Sequence, residues 1–387
     1  MRILRVIGSM NPKIGGPSYG IRNSIPTLSE LGIKNEIVSL DFPNEEFLKN
    51  ETCTIHALGP TKTSWCYSEK LLPWLYDNLG NFDAVIIHGL WLYHGFAVHK
   101  AMKFLKKKGF PTPKVFVMPH GMLDPYFQLA QGRKWKSIRN RIYWALIEKH
   151  IINNADNILF TCERELLLAK ETFSSYKPKH ETNIGYGILA PPPHTSIKQE
   201  TLNFRFPSLT NQSFILFLSR IHKKKGTDIL IQGYLHLKNK GLNLPKLVIA
   251  GQGLESKFGQ SILDLAGNDP DIIFTGMLNG ADKWLALYAC EAFILPSHQE
   301  NFGIAVVEAL ACSKPVLISD QINIFHEIAE CGCGLVASNT LDGVKNLLSQ
   351  WTAMSKEEKE RMNIRAEKCY QRFFTTFEAS KKLVSLL

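Results

Sequence analysis

The chain has 387 residues, too many for one ordinary hydrophobic core and suited to two domains. Its 45% hydrophobic and 21% charged content is that of a globular protein and excludes disordered and fibrous classes. The formal net charge of +10 points to an anionic partner: nucleic acid, membrane surface or a phosphorylated ligand. No stretch approaches the roughly 18–20 apolar residues of a membrane span. The N-terminal run from Met1 to Gly8 reads as a buried strand, not a leader. The eight cysteines are scattered without zinc spacing, so the chain is expected to be cytosolic, reduced and free of structural metal.

In chain order, short apolar runs at 2–7, 36–40, 84–88, 114–118, 157–161 and 182–184 read as buried strands. Helices are expected between them near 18–32, 93–109, 135–154 and 163–172. The pattern then restarts, with strands at 213–218, 246–250, 272–275, 292–295 and 315–318. Helices near 227–239, 255–266, 281–289 and 303–312 alternate with them, and 355–387 reads as helical. Such alternation implies α/β architecture, with two Rossmann-like domains built on parallel sheets. Proline-rich 189–194 and polar 207–211 place the boundary near 189–212. The expected domains are 1–200, 201–365 and a C-terminal helix, 366–387, packing back on the first.

Four segments carry chemistry. A loop with Gly15 and Gly16 follows the first strand, where backbone amides approach an anion at a helix start; a plain connecting loop is the simpler reading. His120-Gly121 ends a strand, where ligands of open parallel sheets sit; its histidine can donate a hydrogen bond or shuttle a proton. His88 holds a similar place and has a structural reading at least as good. Arg220 and Lys225 flank a turn at the next domain's first strand end, a placement for a diphosphate. Finally, Pro296 to Ala309 runs from strand to helix. Glu300 lies in its loop, Gly303 and Ile304 at the helix start, and Glu308 among Val306, Val307, Ala309 and Leu310. A carboxylate in such company needs partners.

With Gly251-Gln252-Gly253, Phe274-Thr275-Gly276 and Pro315-Val316, the order and spacing of these pieces resemble the retaining family 4 glycosyltransferases and their E-x7-E motif. The resemblance implies the GT-B fold, two Rossmann-like domains whose parallel sheets face across a cleft. It implies that Glu308 holds donor ribose hydroxyls and Glu300 holds hydroxyls of the donor sugar. Arg220 and Lys225 would neutralise the leaving diphosphate, aided by amides near Gly303 and Ile304 beside Phe302. Thr275 and Gly276 would line the base pocket. His120 would sit under the sugar, and Gly16 would approach the phosphates or acceptor. One departure is Ser313, where the family commonly has glycine before x-Pro-Val. Asp269-Pro270-Asp271 reads as a turn, not a metal site. The two cations make a metal unnecessary, and no cofactor is expected beyond the nucleoside-diphosphate sugar itself.

Residues 101–150 carry 11 Lys or Arg against 2 Asp or Glu, nearly all of the chain's surplus. Arg133, Lys134, Trp135, Lys136, Arg139 and Arg141 form the densest part. Two readings of this helix stand. It lies on an anionic membrane surface beside a saccharide or lipid-linked acceptor, or it buries Trp135, Ile138, Ile142 and Ala145 in the core. The first implies a cytoplasmic protein, peripheral on the inner face of a membrane. Together these features favour a retaining hexosyltransferase of surface polysaccharide or lipopolysaccharide synthesis. A sugar-nucleotide epimerase or a glycogen- or sucrose-type synthase is the alternative on the same fold. A nucleic-acid-binding protein lacks any recognisable motif, and a nicotinamide oxidoreductase lacks its glycine fingerprint.

Overall fold

The computed structural model describes all residues except 50, 131, 133, 194–208, 210 and 211. The polar break expected at 207–211 therefore lies largely outside the described residues. Two compact units emerge: Met1–Leu189 with Thr376–Leu387, and Ala190–Thr375.

The first unit's sheet contains β1 (Arg2–Ile7), β2 (Lys34–Ser39), β3 (Thr54–Ala57), β4 (Ala84–His88), β5 (Lys114–Met118), β6 (Asn157–Phe160) and β7 (Glu181–Asn183), in the order β3-β2-β1-β4-β5-β6-β7. The second contains β8 (Phe214–Leu218), β9 (Lys246–Ala250), β10 (Ile272–Gly276), β11 (Ala292–Leu295), β12 (Val316–Ser319) and β13 (Gly334–Ala337), in the order β10-β9-β8-β11-β12-β13. All ladder pairings in both sheets are parallel. Central strands such as β4 and β11 are buried at every position, as helices on both faces require. Strand order reverses between β1 and β4, and again between β8 and β11. The crevices beyond those strand ends are where doubly wound sheets bind ligands.

Among the described residues, four helices and two strands escape the sequence pattern, the shortest helix being Tyr126–Leu129. Helix Leu71–Asn78 carries Pro73, which reads as a break but falls in the first turn, where proline is tolerated. Helices Phe325–Cys331 and Leu341–Ala353 follow the last strand that the sequence suggests. β3 and β13 are four-residue edge strands with no fully buried position.

The expected boundaries shift. The first unit closes at Leu189, not 200. The return to it begins at Thr376, not 366. The reason is a single helix, Lys356–Phe373, started by a Ser355–Glu358 capping box and packed on helices Ile304–Ala311 and Phe325–Cys331. Helix Thr376–Val384 then packs on helix Gly16–Glu30, where the Thr27 and Thr376 hydroxyls bond at 2.9 Å. Ser313 adopts φ +58°, the left-handed conformation that glycine takes most easily.

The basic segment corrects the core-facing reading. Helix Lys134–Tyr143 continues through a π-helical turn, Trp144–Glu148, into helix Lys149–Asn154. Ser137, Asn140 and Trp144 point inward, whereas Trp135 is 84% exposed and Ile138, Ile142 and Leu146 are also exposed. Ala145 is exposed too. The periodic apolar stripe thus lies on the outer side. Arg133 lies outside the described residues. Among the described residues, no helix is long and apolar enough to cross a membrane.

The π-helical turn places Glu148 in the interior, 2% exposed, where its carboxylate accepts from the Trp91 amide at 2.7 Å. Burial pushes its pKa up to about 7. A carboxyl with a raised folded pKa favours the folded state at low pH. That preference is lost as pH rises from the unfolded value of about 4.5 through 7. Glu148→Gln is therefore expected to match wild-type stability near pH 4.5 and to exceed it by up to about 3 kcal/mol at pH 8. Urea melts across that range check it; parallel pH profiles would contradict it.

Candidate active site

Two loops meet beyond the switch point of the second sheet. The first leaves β8. Ser219 N–H donates to Ala250 O at 3.0 Å and Ile221 N–H to Gln252 O at 2.8 Å, laying this loop along the exit of β9. That closeness requires Gly251, where an added Cβ would sit 1.9 Å from Ser219 O. Arg220 lies exposed between these anchors. A short 3₁₀ turn, Lys223–Lys225, follows, capped by His222, whose ring nitrogen accepts from Lys224 N–H at 3.1 Å. Gly226 closes it at φ +69°; a Cβ there would lie 2.2 Å from Pro296 O, so only glycine lets the two loops touch.

The second loop leaves β11. His298 N–H donates to Lys224 O at 2.8 Å. The backbone of Glu300 is held on both sides, donating to Gln321 O and accepting from Asn323 N–H, each at 3.0 Å. Its carboxylate pairs with Lys225 Nζ. Gly303, at φ +81°, starts helix Ile304–Ala311, so first-turn amides around Ile304 face the loop end without helical partners. Glu308 sits one turn on, 3% exposed, which rules out a solvated helix face. Its Oε1 accepts from Lys283 Nζ at 2.7 Å, and that ammonium also lies 4.1 Å over the Trp284 ring. Thr275 and Gly276 end β10, where Gly276 O accepts from Gly251 N–H at 2.8 Å. Phe302 differs from expectation: its ring is 5% exposed and lies edge-on to Phe374 at 5.7 Å, so it packs the loop instead of offering a face to a donor.

Arg220, Lys225, Thr275, Gly276, Glu300, Gly303, Ile304 and Glu308 are thus gathered at one edge of one sheet. Lys283 is the residue that sequence reasoning misses. It belongs to an ordinary amphipathic helix, and only the fold brings it to Glu308. Asp269-Pro270-Asp271 forms the expected turn: Asp269 Oδ1 accepts from Asp271 N–H at 2.9 Å, and Lys238 pairs with both carboxylates. The described residues contain no cluster of metal-ligating side chains.

In the first unit His120 lies two residues beyond β5, at φ +53°. Its Nε2 lies 3.0 Å from His88 Nδ1, and the two rings stack at 5.3 Å. Burial, then the Arg5 charge, lowers the His120 pKa to about 3. At neutral pH the ring is therefore uncharged and suits hydrogen bonding, not the proton shuttle considered above. The following loop is fixed by buried Glu165, which accepts from Gly121 N–H and from the amide and hydroxyl of Thr161. Gly16 starts helix Gly16–Glu30, and its carbonyl accepts from the Tyr186 hydroxyl. Gly20 permits that bond, since a Cβ there would meet the Tyr186 ring at 2.1 Å. Lys134, Lys136, Arg139 and Arg141 are exposed along the basic helix, away from this cluster in sequence.

Residues 198–368 match the model of the family "Glycosyl transferases group 1". An uncharacterized glycosyltransferase of Methanocaldococcus jannaschii is 32% identical over 163 residues, 40% of each chain. The O-antigen chain mannosyltransferase C of Escherichia coli is 23% identical over 168 residues, 42% of this chain and 43% of its own. The chain thus spans about two fifths of the length of these curated relatives. An N,N'-diacetylbacillosaminyl-diphospho-undecaprenol alpha-1,3-N-acetylgalactosaminyltransferase of Campylobacter jejuni is 25% identical over 69% of both chains. Among solved structures, sucrose-phosphate synthase from Thermosynechococcus elongatus superposes with a TM-score of 0.73 at 15% identity, covering 100% of this chain and 98% of that one. Anabaena HepE in complex with UDP gives 0.75 at 14% identity, covering 100% and 99%. Residues 198–368 thus carry the likeness to the group 1 glycosyltransferases, and the chain has the GT-B fold.

Proposed function

We propose that the chain moves a hexose-type sugar from a nucleoside-diphosphate sugar to a saccharide acceptor, with retained anomeric configuration and without a metal. One observation carries this reading most: a buried carboxylate, Glu308, behind a helix start whose entry loop holds the Lys225–Glu300 pair. Lys283 offsets the charge of Glu308, whose carboxylate accepts from the vicinal ribose hydroxyls of the donor. Lys225 turns from Glu300 to the diphosphate as the donor enters, freeing Glu300 for sugar hydroxyls. Arg220 and the first-turn amides supply further positive potential where charge builds on the departing phosphate. Neutral His120 donates a hydrogen bond to the sugar. The diphosphate oxygen takes the acceptor proton.

Product analysis with labelled donors tests this. Transfer with a retained anomeric centre, undiminished in EDTA, is expected. Strict dependence on added Mg²⁺ or Mn²⁺, or inversion, would contradict it.

The acceptor proposed is lipid-linked, supported by the name of the Campylobacter relative and by the outward stripe of Trp135, Ile138, Ile142 and Leu146 among Lys134, Lys136, Arg139 and Arg141. Apolar side chains flanked by cations suit an anionic bilayer surface. The expected result is co-sedimentation with anionic liposomes that falls at least about fivefold in Trp135→Ser/Ile142→Ser. Equal, negligible sedimentation with anionic and neutral liposomes would sink the membrane part.

A further inference from the structure

The first unit contains a buried charge that the transfer reaction does not use. Arg5 projects from β1 and is 4% exposed. Its Nε donates to Asn35 Oδ1 at 3.0 Å and its Nη1 to His88 Nε2 at 3.4 Å. Neither partner is a carboxylate, and Nη2 is buried without a hydrogen-bond partner. Burial lowers the guanidinium pKa only to about 10, so it remains charged at neutral pH. A buried cation without a counter-charge is costly.

A cavity of about 40 Å³ adjoins it, lined among others by Arg5, Ser24, His88, His120, Tyr186 and Ser380, and by no Asp or Glu. Ser380 is 2% exposed, and its hydroxyl is also buried without a partner. The Ser24 hydroxyl is committed to Ile21 O. His88 and His120 are both held neutral, burial being the first cause. The cavity thus offers one positive charge, two unused donors and no acceptor charge. Its size suits a monatomic ion or a water (a water needs roughly 10–15 Å³ of such space). A single cation matches a monovalent anion, not a phosphate dianion.

We propose that this cavity is a binding site for a monovalent anion of chloride size, held by the Arg5 guanidinium and the Ser380 hydroxyl. It lies wholly within the first unit and stands independently of the donor site. Because Arg5 contacts His88 and His88 contacts His120, an ion there is coupled to the histidine pair.

Thermal unfolding of the full chain in sodium chloride or bromide, against sodium gluconate at equal ionic strength, tests it. A saturable rise in Tm with halide is expected, with a bromide anomalous peak beside Arg5 in crystals. Ser380→Ala is expected to raise the halide midpoint by roughly tenfold, the loss of one hydrogen bond to a charged group. Arg5→Met should remove the response altogether. Should Arg5→Met fail to fold, the Ser380→Ala midpoint and the bromide peak still decide. Equal Tm in halide and gluconate without an anomalous peak would mean that the cavity holds water, and would overturn the proposal. A halide midpoint unchanged in Ser380→Ala would overturn the assigned ligands.

Discussion

Arg220→Ala is expected to lower kcat/KM for sugar transfer by roughly two to three orders of magnitude, while stability changes by less than about 0.5 kcal/mol. The asymmetry follows from how the residue is held. Its loop is fixed by backbone bonds from Ser219 and Ile221 to the exit of β9, and by the close approach of Gly251. None of these depends on the exposed guanidinium. In the proposed reaction the exposed side chain faces charge that develops as the diphosphate leaves, and removing it should leave that charge less stabilised. Arg220→Lys keeps the charge but loses the planar fork, so only part of the activity should return. Steady-state kinetics with paired urea melts give both readouts. Wild-type kcat/KM in Arg220→Ala would remove this residue from the mechanism.

Glu308→Gln is the second large effect. It keeps the shape but loses the charge that faces Lys283, and kcat/KM should fall by roughly a hundredfold, chiefly through weaker donor binding. Stability should fall by about 1–3 kcal/mol, because a mostly buried ammonium loses its partner. Lys283→Met should be more damaging to the fold, by about 3 kcal/mol, since it removes the counter-charge of a carboxylate whose side chain is only 4% exposed. The double variant separates the two roles: stability recovers and activity does not. If the double variant regains activity, Glu308 serves only to neutralise Lys283.

Much of this was readable in the chain. Continuous apolar runs mark central strands such as β4 and β11, because strands buried on both faces admit few polar residues. The placement of Arg220, Lys225, Glu300 and Glu308 is equally legible, since these residues sit where strand turns to helix. What escaped has physical reasons. β3 and β13 lie at sheet edges, span only four residues each and are nowhere fully buried. Lys283 and Glu165 are single charges on ordinary helices, and their partners are distant in sequence. Arg5 stands between Leu4 and Val6 inside β1, and its contacts with Asn35 and His88 exist only once the sheet is assembled. The stripe of Trp135, Ile138 and Ile142 had the right period, but period alone does not say which side faces the core. Ser137 and Asn140 face inward instead.

The central claim is that the second unit binds a nucleoside diphosphate through Glu308 and the loops beyond β8 and β11. A thermal-shift titration of the wild-type chain and Glu308→Gln against UDP, GDP and ADP tests it most directly. One of the three is expected to stabilise the wild type by about 2.7 kcal/mol at a hundred times its Kd. Glu308→Gln should need roughly a hundredfold more for the same shift. Stabilisation by none of the three, or equal titrations in both proteins, would contradict the account.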